Sequence, residues 1–274
     1  MRRTVKQISK DPFIVVGIII VGMVLAMASV VPLIISGDPN HIAYVSEPQP
    51  PSLTHPFGTD DLGRDTMLRI IFGARISLIV AFVSVLISLS IGTLIGSIAG
   101  FYGGVVDEII MRVIDGLMAI PTIFLLLTIQ VLLTPSIYNV IIIIGVTSWM
   151  GVARIVRAEV LALAARDFVK AARSFGFGNS TIIFKCILPN ALGPLFVTAV
   201  LSMGGAILTE SALSYFGLGV QPPQPSWGNM LYNAQDYLLD AWWMTFFPGV
   251  FILLTVLALN FIGDGMYRIF NPKS

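Results

Sequence analysis

The sequence predicts an all-α fold: a polytopic transmembrane helical bundle of six spans. Three observations predict it. Hydrophobic residues make up 56% of the 274-residue chain and charged residues only 11%, against about 25% charged in an ordinary soluble domain. Mean hydropathy is +0.89. Apolar runs of about 20 residues, enough to cross a hydrocarbon core, recur six times. The same composition excludes other classes. A net charge of +1 gives no field that would favour nucleic acid. One cysteine, Cys186, rules out an intrachain disulfide, and with two histidines it leaves no cluster of metal-ligand spacing.

The first span is Phe13–Ile35. Arg2, Arg3, Lys6 and Lys10 precede it, and Ala26-Met27-Ala28 looks like a signal-peptidase site. The apolar run continues past that site through Val30, Val31 and Leu33, so an uncleaved helix is expected. The connection Ser36–Arg75 is punctuated by Asp38-Pro39-Asn40, Pro48 and Pro50-Pro51. Near its end Thr59 or Asp60 is the expected N-cap, with Asp60 and Asp61 favourable at a positive helix terminus. A short helix along Leu68, Ile71 and Phe72 then leads to the membrane, with Arg64 paired to an Asp.

The second span, Ile76–Ala99, carries a stripe of small residues: Ser77, Ala81, Ser84, Ser88, Gly92, Gly96 and Gly100. Steps of three and four put them on one helix face, and small faces let helix backbones approach closely in lipid. The stripe is therefore read as packing, within the chain or against a partner. The third span, Val113–Leu133, holds Asp115 near its start and Pro121 inside, where a kink is expected. The fourth is Ile137–Ile155, the fifth Ala191–Leu213 and the sixth Trp243–Gly263. Between the last two, Ser214–Trp242 contains Gly217, Gly219, Pro222-Pro223, Pro225 and Gly228, an extended and stiff loop. Trp227 and Trp242-Trp243 suit a membrane–water interface.

Basic residues set the orientation. With the N-terminus inside, Arg2, Arg3, Lys6, Lys10, Arg112, Arg154, Arg157, Arg166, Lys170, Arg173, Lys185, Arg268 and Lys273 are cytoplasmic. Only Arg64, Arg69 and Arg75 lie outside, so the positive-inside rule places both termini in the cytoplasm. The chain divides into 1–75, holding the tail, first helix and outer loop, and 76–274, a five-helix core with a cytoplasmic loop at 159–190.

Inside that loop lies a polar island, Asp167–Pro189. Phe168, Ala171, Ala172 and Phe175 share one helix face, with Lys170 and Arg173 largely off it. Gly176 and Gly178 break the helix by supplying positive φ. A second short helical stretch, Ser180–Ile187, follows, and Pro189 marks the start of the next span. A plain basic interfacial loop would place bulk, not alanine, on its membrane face; small residues instead permit close approach of another protein.

The spacing of this island resembles the EAA loop of bacterial ABC importer permeases: Glu-Ala-Ala, three residues, Gly, nine residues, Ile, one residue, Leu-Pro. Ala171, Ala172, Gly176, Leu188 and Pro189 match, while Lys170 takes the Glu place and Cys186 the Ile place. Asp167 opens the same segment. In that family the loop fits a groove on the ATPase subunit; Lys170 departs from any contact a Glu would make there. A second segment, HPFGTDDLGRD followed by Arg75-Ile76-Ser77-Leu78, resembles the HxLGTDxxGRD … RxSL signature of the peptide and nickel branch, second permease type. It contains Gly58, Thr59, Asp60, Gly63, Arg64 and Asp65, with Phe57 replacing Leu. The stretch FGLGVQPPQPSWGNML resembles that branch's last outer loop.

The resemblance implies a type I importer permease fold in a bacterial inner membrane. It implies a homologous permease partner, two ATP-binding cassette subunits that bind ATP and magnesium, and an extracytoplasmic substrate-binding protein. Di- or oligopeptides are the expected substrates, with nickel chelates or glutathione-like peptides as alternatives. The rival class is a passive channel or membrane scaffold that docks a cytoplasmic protein. Other features narrow the field. No GxxxxGK[ST] occurs, so this chain lacks that ATP-binding device. Neither HExxH nor a nucleophile–base constellation appears, and no catalytic residue is expected. Asp115, Arg154, Glu210 and Asp264 are read as lying near span ends, which disfavours an ion-coupled carrier.

Overall fold

All six apolar runs become helical in the computed structural model, which describes residues 11–34, 37–43 and 47–270. The expectations for Arg2, Arg3, Lys6, Lys10, Ile35, Ser36 and Lys273 lie outside the described residues. Helix α1, Pro12–Ser29, continues as a single turn, Val31–Ile34. Asp11 caps it by accepting from the Phe13 N–H at 3.0 Å, and Pro12 fills the first turn, where a missing donor costs nothing.

Helix α2 spans Thr66–Tyr102, 37 residues, and so passes straight through the boundary at 75 and 76. Its cap is Asp65, whose carboxylate accepts from the Leu68 N–H at 2.8 Å. Thr59 and Asp60, the expected caps, sit six and five residues earlier in an irregular turn. The capping expectation is corrected for a physical reason: Asp60 is committed to Arg64, leaving Asp65 at the boundary.

The third span is not kinked but broken. Helix α3, Gly104–Met118, and helix α4, Thr122–Leu132, meet at 76°. Pro121 has φ −57 and ψ 120, an extended conformation that stops one helix and starts the next. The span also begins earlier than expected, at Gly104. Helix α5 is Ile137–Ala164, α6 Asp167–Ser174 and α7 Leu188–Tyr215. Helix α7 is fed by Asn179–Thr181 and a π-helical turn, Ile182–Ile187. Helices α8, Trp227–Asn233, and α9, Trp243–Phe270, complete the described chain.

Contacts fix the direction of each crossing. Asp107 at the start of α3 bonds Arg157 near the end of α5 at 2.7 Å, whereas Leu126 of α4 packs with Val140 and Ile144 near the start of α5. The broken pair therefore runs along the bundle from one end to the other, and counted as one span it joins five unbroken helices long and apolar enough to cross a membrane. Asp11 bonds Arg268 at 2.8 Å, so the start of α1 and the end of α9 share the end of the bundle that holds α6.

The small stripe is the spine of this bundle. All seven of its residues are buried; Ser84, Gly92, Gly96 and Gly100 lie against α5, while Ser77 turns toward α7. A Cβ at Gly92 would stand 2.7 Å from Val152 Cβ, and one at Gly100 would stand 2.6 Å from the Arg157 carbonyl oxygen. A Cβ at Gly96 would overlap the Ala153 carbonyl. Only glycine permits the two backbones to touch along this seam. The Ser84 hydroxyl donates across it to the Ile141 carbonyl at 3.0 Å. The stripe is packing within the chain.

Candidate functional sites at the two ends of the bundle

At the end that holds α6, the polar island forms a compact turn. Helix α6 buries Val169 and Ala172 against Phe101, Val152, Val156 and the π-helical Ile182, Ile183 and Ile187. Its C-terminus is closed by two hydrogen bonds, Gly176 N–H to Arg173 O at 2.9 Å and Phe177 N–H to Ala172 O at 3.1 Å. This is a Schellman closure, which requires a left-handed residue, and Gly176 supplies φ +77. Gly178 does not share that role; its φ is −66. Around a Cβ at Gly176 there would be nothing within 4 Å, so the turn stands clear of the chain.

The outward face differs from the one read from periodicity. Ala172 points into the chain's own core, and only Ala171 of the pair is exposed. Phe168, Phe175, Phe177 and Phe184 project outward, Phe175 with 81% of its surface open. The inward face was won by Val169 because the π-helical turn covers that side. Lys170 is exposed and bonds Asp167 at 3.0 Å. Arg173 lies over the Phe101 ring at 5.2 Å, tying α6 to the end of α2. Leu188 is half-buried and Pro189 stands exposed in the first turn of α7. The Asn190 side chain donates to the Cys186 carbonyl at 2.7 Å, serving a carbonyl at this irregular junction.

At the opposite end, the signature segment is a knot. The Asp60 carboxylate accepts from the Arg64 Nε at 2.6 Å and from the N–H groups of Leu62 and Arg64 at 3.0 and 2.9 Å. Arg69 approaches it at 3.4 Å. His55 bonds Asp65 at 2.8 Å, and Thr59 pairs with Asp65 as an isolated bridge. Gly58 and Gly63 close the turns with φ +71 and +74. Thr59, Asp60 and Arg64 are buried. Trp243 donates its indole N–H to the Thr59 carbonyl at 3.0 Å, locking the knot to α9. Burial, and then the adjacent Asp60 carboxylate, push the Asp61 pKa up.

Trp227 and Trp243 are core residues, not interfacial anchors; Trp227 has no exposed surface, and Trp242 alone of the three is open. Ser226 caps α8 in a reciprocal capping box with Asn229. The Trp227 indole N–H donates to the Ile70 carbonyl at 3.1 Å. Beneath lies Glu210, fully buried in α7, accepting from Ser77 at 3.1 Å and Ser214 at 2.8 Å. The sequence reading placed Glu210 near a span end and passed over it. The signal was available: Ser214 follows it at i+4, on the same helix face, and Ser77 sits on the buried stripe.

Among the described residues no cluster of three or more His, Cys, Asp or Glu could hold a metal ion. The arrangement presents an exposed apolar turn at one end and a buried polar knot at the other.

Residues 92–274 match the family described as binding-protein-dependent transport system inner membrane component. The chain is 41% identical to a dipeptide transport system permease protein of Alkalihalophilus pseudofirmus, over 99% of this chain and 90% of that one. It is 40% identical to an oligopeptide transport system permease protein of Bacillus subtilis, over 94% and 85% respectively. A solved inward-facing structure of the MetNI methionine ABC transporter shares the fold. Its TM-score is 0.60 at 20% identity, covering 76% of this chain and 97% of that chain.

Proposed function

Because this chain belongs to the family of binding-protein-dependent transport system inner membrane components, we propose that it is one of two pore-forming subunits of an ATP-driven peptide importer. The names of relatives about 40% identical over nearly the whole chain support di- or oligopeptides as the substrate class. The end that holds α6 is cytoplasmic in this reading, supported by the thirteen basic residues assigned to that side. ATP and magnesium are bound by partner subunits, and a second, homologous permease completes the path.

The observation that carries the proposal is the Gly176 turn with its exposed Phe168, Phe175 and Phe177. A turn closed by its own hydrogen bonds, free of neighbours and rimmed with aromatic side chains, is built to enter a groove on another protein. Asp167, Lys170, Ala171, Ala172, Gly176, Leu188 and Pro189 form this coupling element, Ala172 by packing it to the core.

The broken third span supports a path beside α3 and α4. Helix α4 has 11 residues, about 16 Å at 1.5 Å per residue, or half of a hydrocarbon core. Its break at Pro121 thus falls at mid-depth with its flanks exposed. Irregular backbone at that depth is tolerated only where protein covers it or water fills a cavity.

The test is Gly176→Asp in the reconstituted complex, measuring ATP hydrolysis with and without loaded binding protein, alongside uptake. Stimulated hydrolysis and uptake should fall together while assembly persists. Wild-type values for both would move the passive channel or scaffold ahead.

A further inference from the structure

Glu210 has no exposed surface, and its two oxygens are held differently from those of any other carboxylate described above. Each accepts from a serine hydroxyl, Oε1 from Ser214 at 2.8 Å and Oε2 from Ser77 at 3.1 Å. Each of those hydroxyls in turn accepts a backbone N–H from the outer segment. Trp227 N–H reaches Ser77 Oγ at 3.3 Å, and Val220 N–H reaches Ser214 Oγ at 3.1 Å. A serine hydroxyl has one proton and two lone pairs. With both protons spent on Glu210, both hydroxyls must present lone pairs to the outer segment. The carboxylate therefore fixes the direction of two relays that start on different helices and end on one loop.

Between the two relay ends the chain rises to an exposed tip, Pro222-Pro223-Gln224, and the flank from Pro225 to Met230 is buried. Asn229 clamps the tip from below, its Nδ2 donating to the Val220 carbonyl at 3.1 Å and to the Gln224 carbonyl at 2.7 Å. A Cβ at Gly228 would stand 2.6 Å from Ser211 Cα, so the base rests directly on α7. No charged side chain occurs between Ser211 and Gln235. The tip thus offers a contact of fixed shape and no charge, and its height depends on the relays beneath it.

We propose that Glu210 is a positioning residue for the substrate-binding protein: by ordering Ser77 and Ser214 it holds the tip Pro222–Gln224 as that protein's contact. This rests on the importer reading above. Each relay needs an oxygen of residue 210 that accepts from its serine. An amide there would turn a donor toward one serine and leave that hydroxyl proton without its partner.

The experiment uses the whole complex in proteoliposomes with its dipeptide-loaded binding protein, titrated against ATP hydrolysis. Glu210→Gln, nearly isosteric, should raise the half-saturating concentration of binding protein about fivefold to tenfold and keep the maximal stimulated rate within twofold. Gln224→Arg, an exposed change at the tip, should shift half-saturation in the same direction. The double variant should shift it no further than the larger single effect, since both act on one contact. An unchanged half-saturation in Glu210→Gln overturns the inference, as do additive effects in the double variant. A fall in maximal rate with half-saturation unmoved would make Glu210 a purely structural residue. If no loaded binding protein stimulates the wild-type complex, the importer reading fails and takes this inference with it.

Discussion

Around Trp227 most polar groups are paired in the interior and the indole is covered; around Gly176 the aromatic rings stand open and the ion pair of Lys170 with Asp167 lies in solvent. The end that holds Trp227 pairs much of its polar chemistry internally, Asp60 with Arg64, Thr59 with Trp243 and Glu210 with two serines, while Thr66 Oγ1, Arg69 Nη2 and Ser211 Oγ stay buried without partners. The inner end closes its backbone but not its side chains. One end gains stability from being finished. The other leaves apolar surface open, and in the proposed importer a partner would cover it, so its cost would fall on the isolated chain rather than on the complex.

The sharpest way to break this contrast is a matched pair of truncations. Trp227→Ala should destabilise the purified complex by about 3–5 kcal/mol, because it empties a fully buried site and removes the indole hydrogen bond to the Ile70 carbonyl. Phe175→Ala should leave thermal unfolding nearly unchanged, within about 0.5 kcal/mol for an exposed site, yet depress stimulated hydrolysis. Similar unfolding shifts for the two variants would erase the distinction between the ends.

Next in size is the spine that joins them. Gly96→Leu should cost about 1–3 kcal/mol by overpacking the α2–α5 seam, with a matching fall in assembled yield. Leu94→Ala, on the exposed side of α2, serves as the control. Equal yields would mean the seam does not bear the bundle.

Gly176→Ala probes the inner turn alone. No neighbour obstructs the added methyl, so the effect is the strain of a left-handed alanine, about 1–2 kcal/mol. It should appear in coupling and scarcely in global unfolding, since α6 docks through Val169 and Ala172. A global shift as large as that of Trp227→Ala would show that this end, too, is part of the fold's foundation.

The smallest expected effect belongs to Asp61 in the outer knot. Its pKa is raised by burial and by Asp60, so its charged form is disfavoured in the folded state. That contribution is favourable below the unfolded pKa and is lost as pH rises through the folded one. Asp61→Asn removes the penalty. It should raise the unfolding temperature slightly at pH 7, with the gain vanishing as pH falls through the carboxylate range. A gain that persists in acid would point away from charge as the cause.

Spans, the small stripe and the Gly176 turn were legible because each rests on local chemistry: length of apolar run, helical spacing, and the need for positive φ. What escaped rests on competition between distant parts. Asp60 looked like a cap until Arg64 claimed it. Ala172 shares a face with Phe168 by periodicity, but the π-helical turn Ile182–Ile187 covers the Val169 side and rotates the buried arc. Trp227 reads as an interfacial ring from its loop, and only the fold of α8 onto α2 and α7 encloses it. Pro121 announces an interruption, yet its angle depends on how α3 and α4 pack separately against α5. Glu210 looks terminal by position because the outer segment that buries it folds back from further along the chain.

The helical run from Asn179 to Tyr215 has a mechanical meaning. It is 37 residues long without a break, a contour of about 55 Å at 1.5 Å per residue. It begins three residues after Gly176 and passes Glu210 before it ends, so one rod links the two ends of the bundle. Two places along it have altered backbone hydrogen bonding, the π-helical turn and Pro194, and these are where such a rod yields. In the proposed importer, a load applied at the Gly176 end would reach the Glu210 end as tilt and axial rotation, with the compliant joints near the Gly176 end and a long stiff arm beyond them. Leverage of that kind favours displacement over force at the outer face.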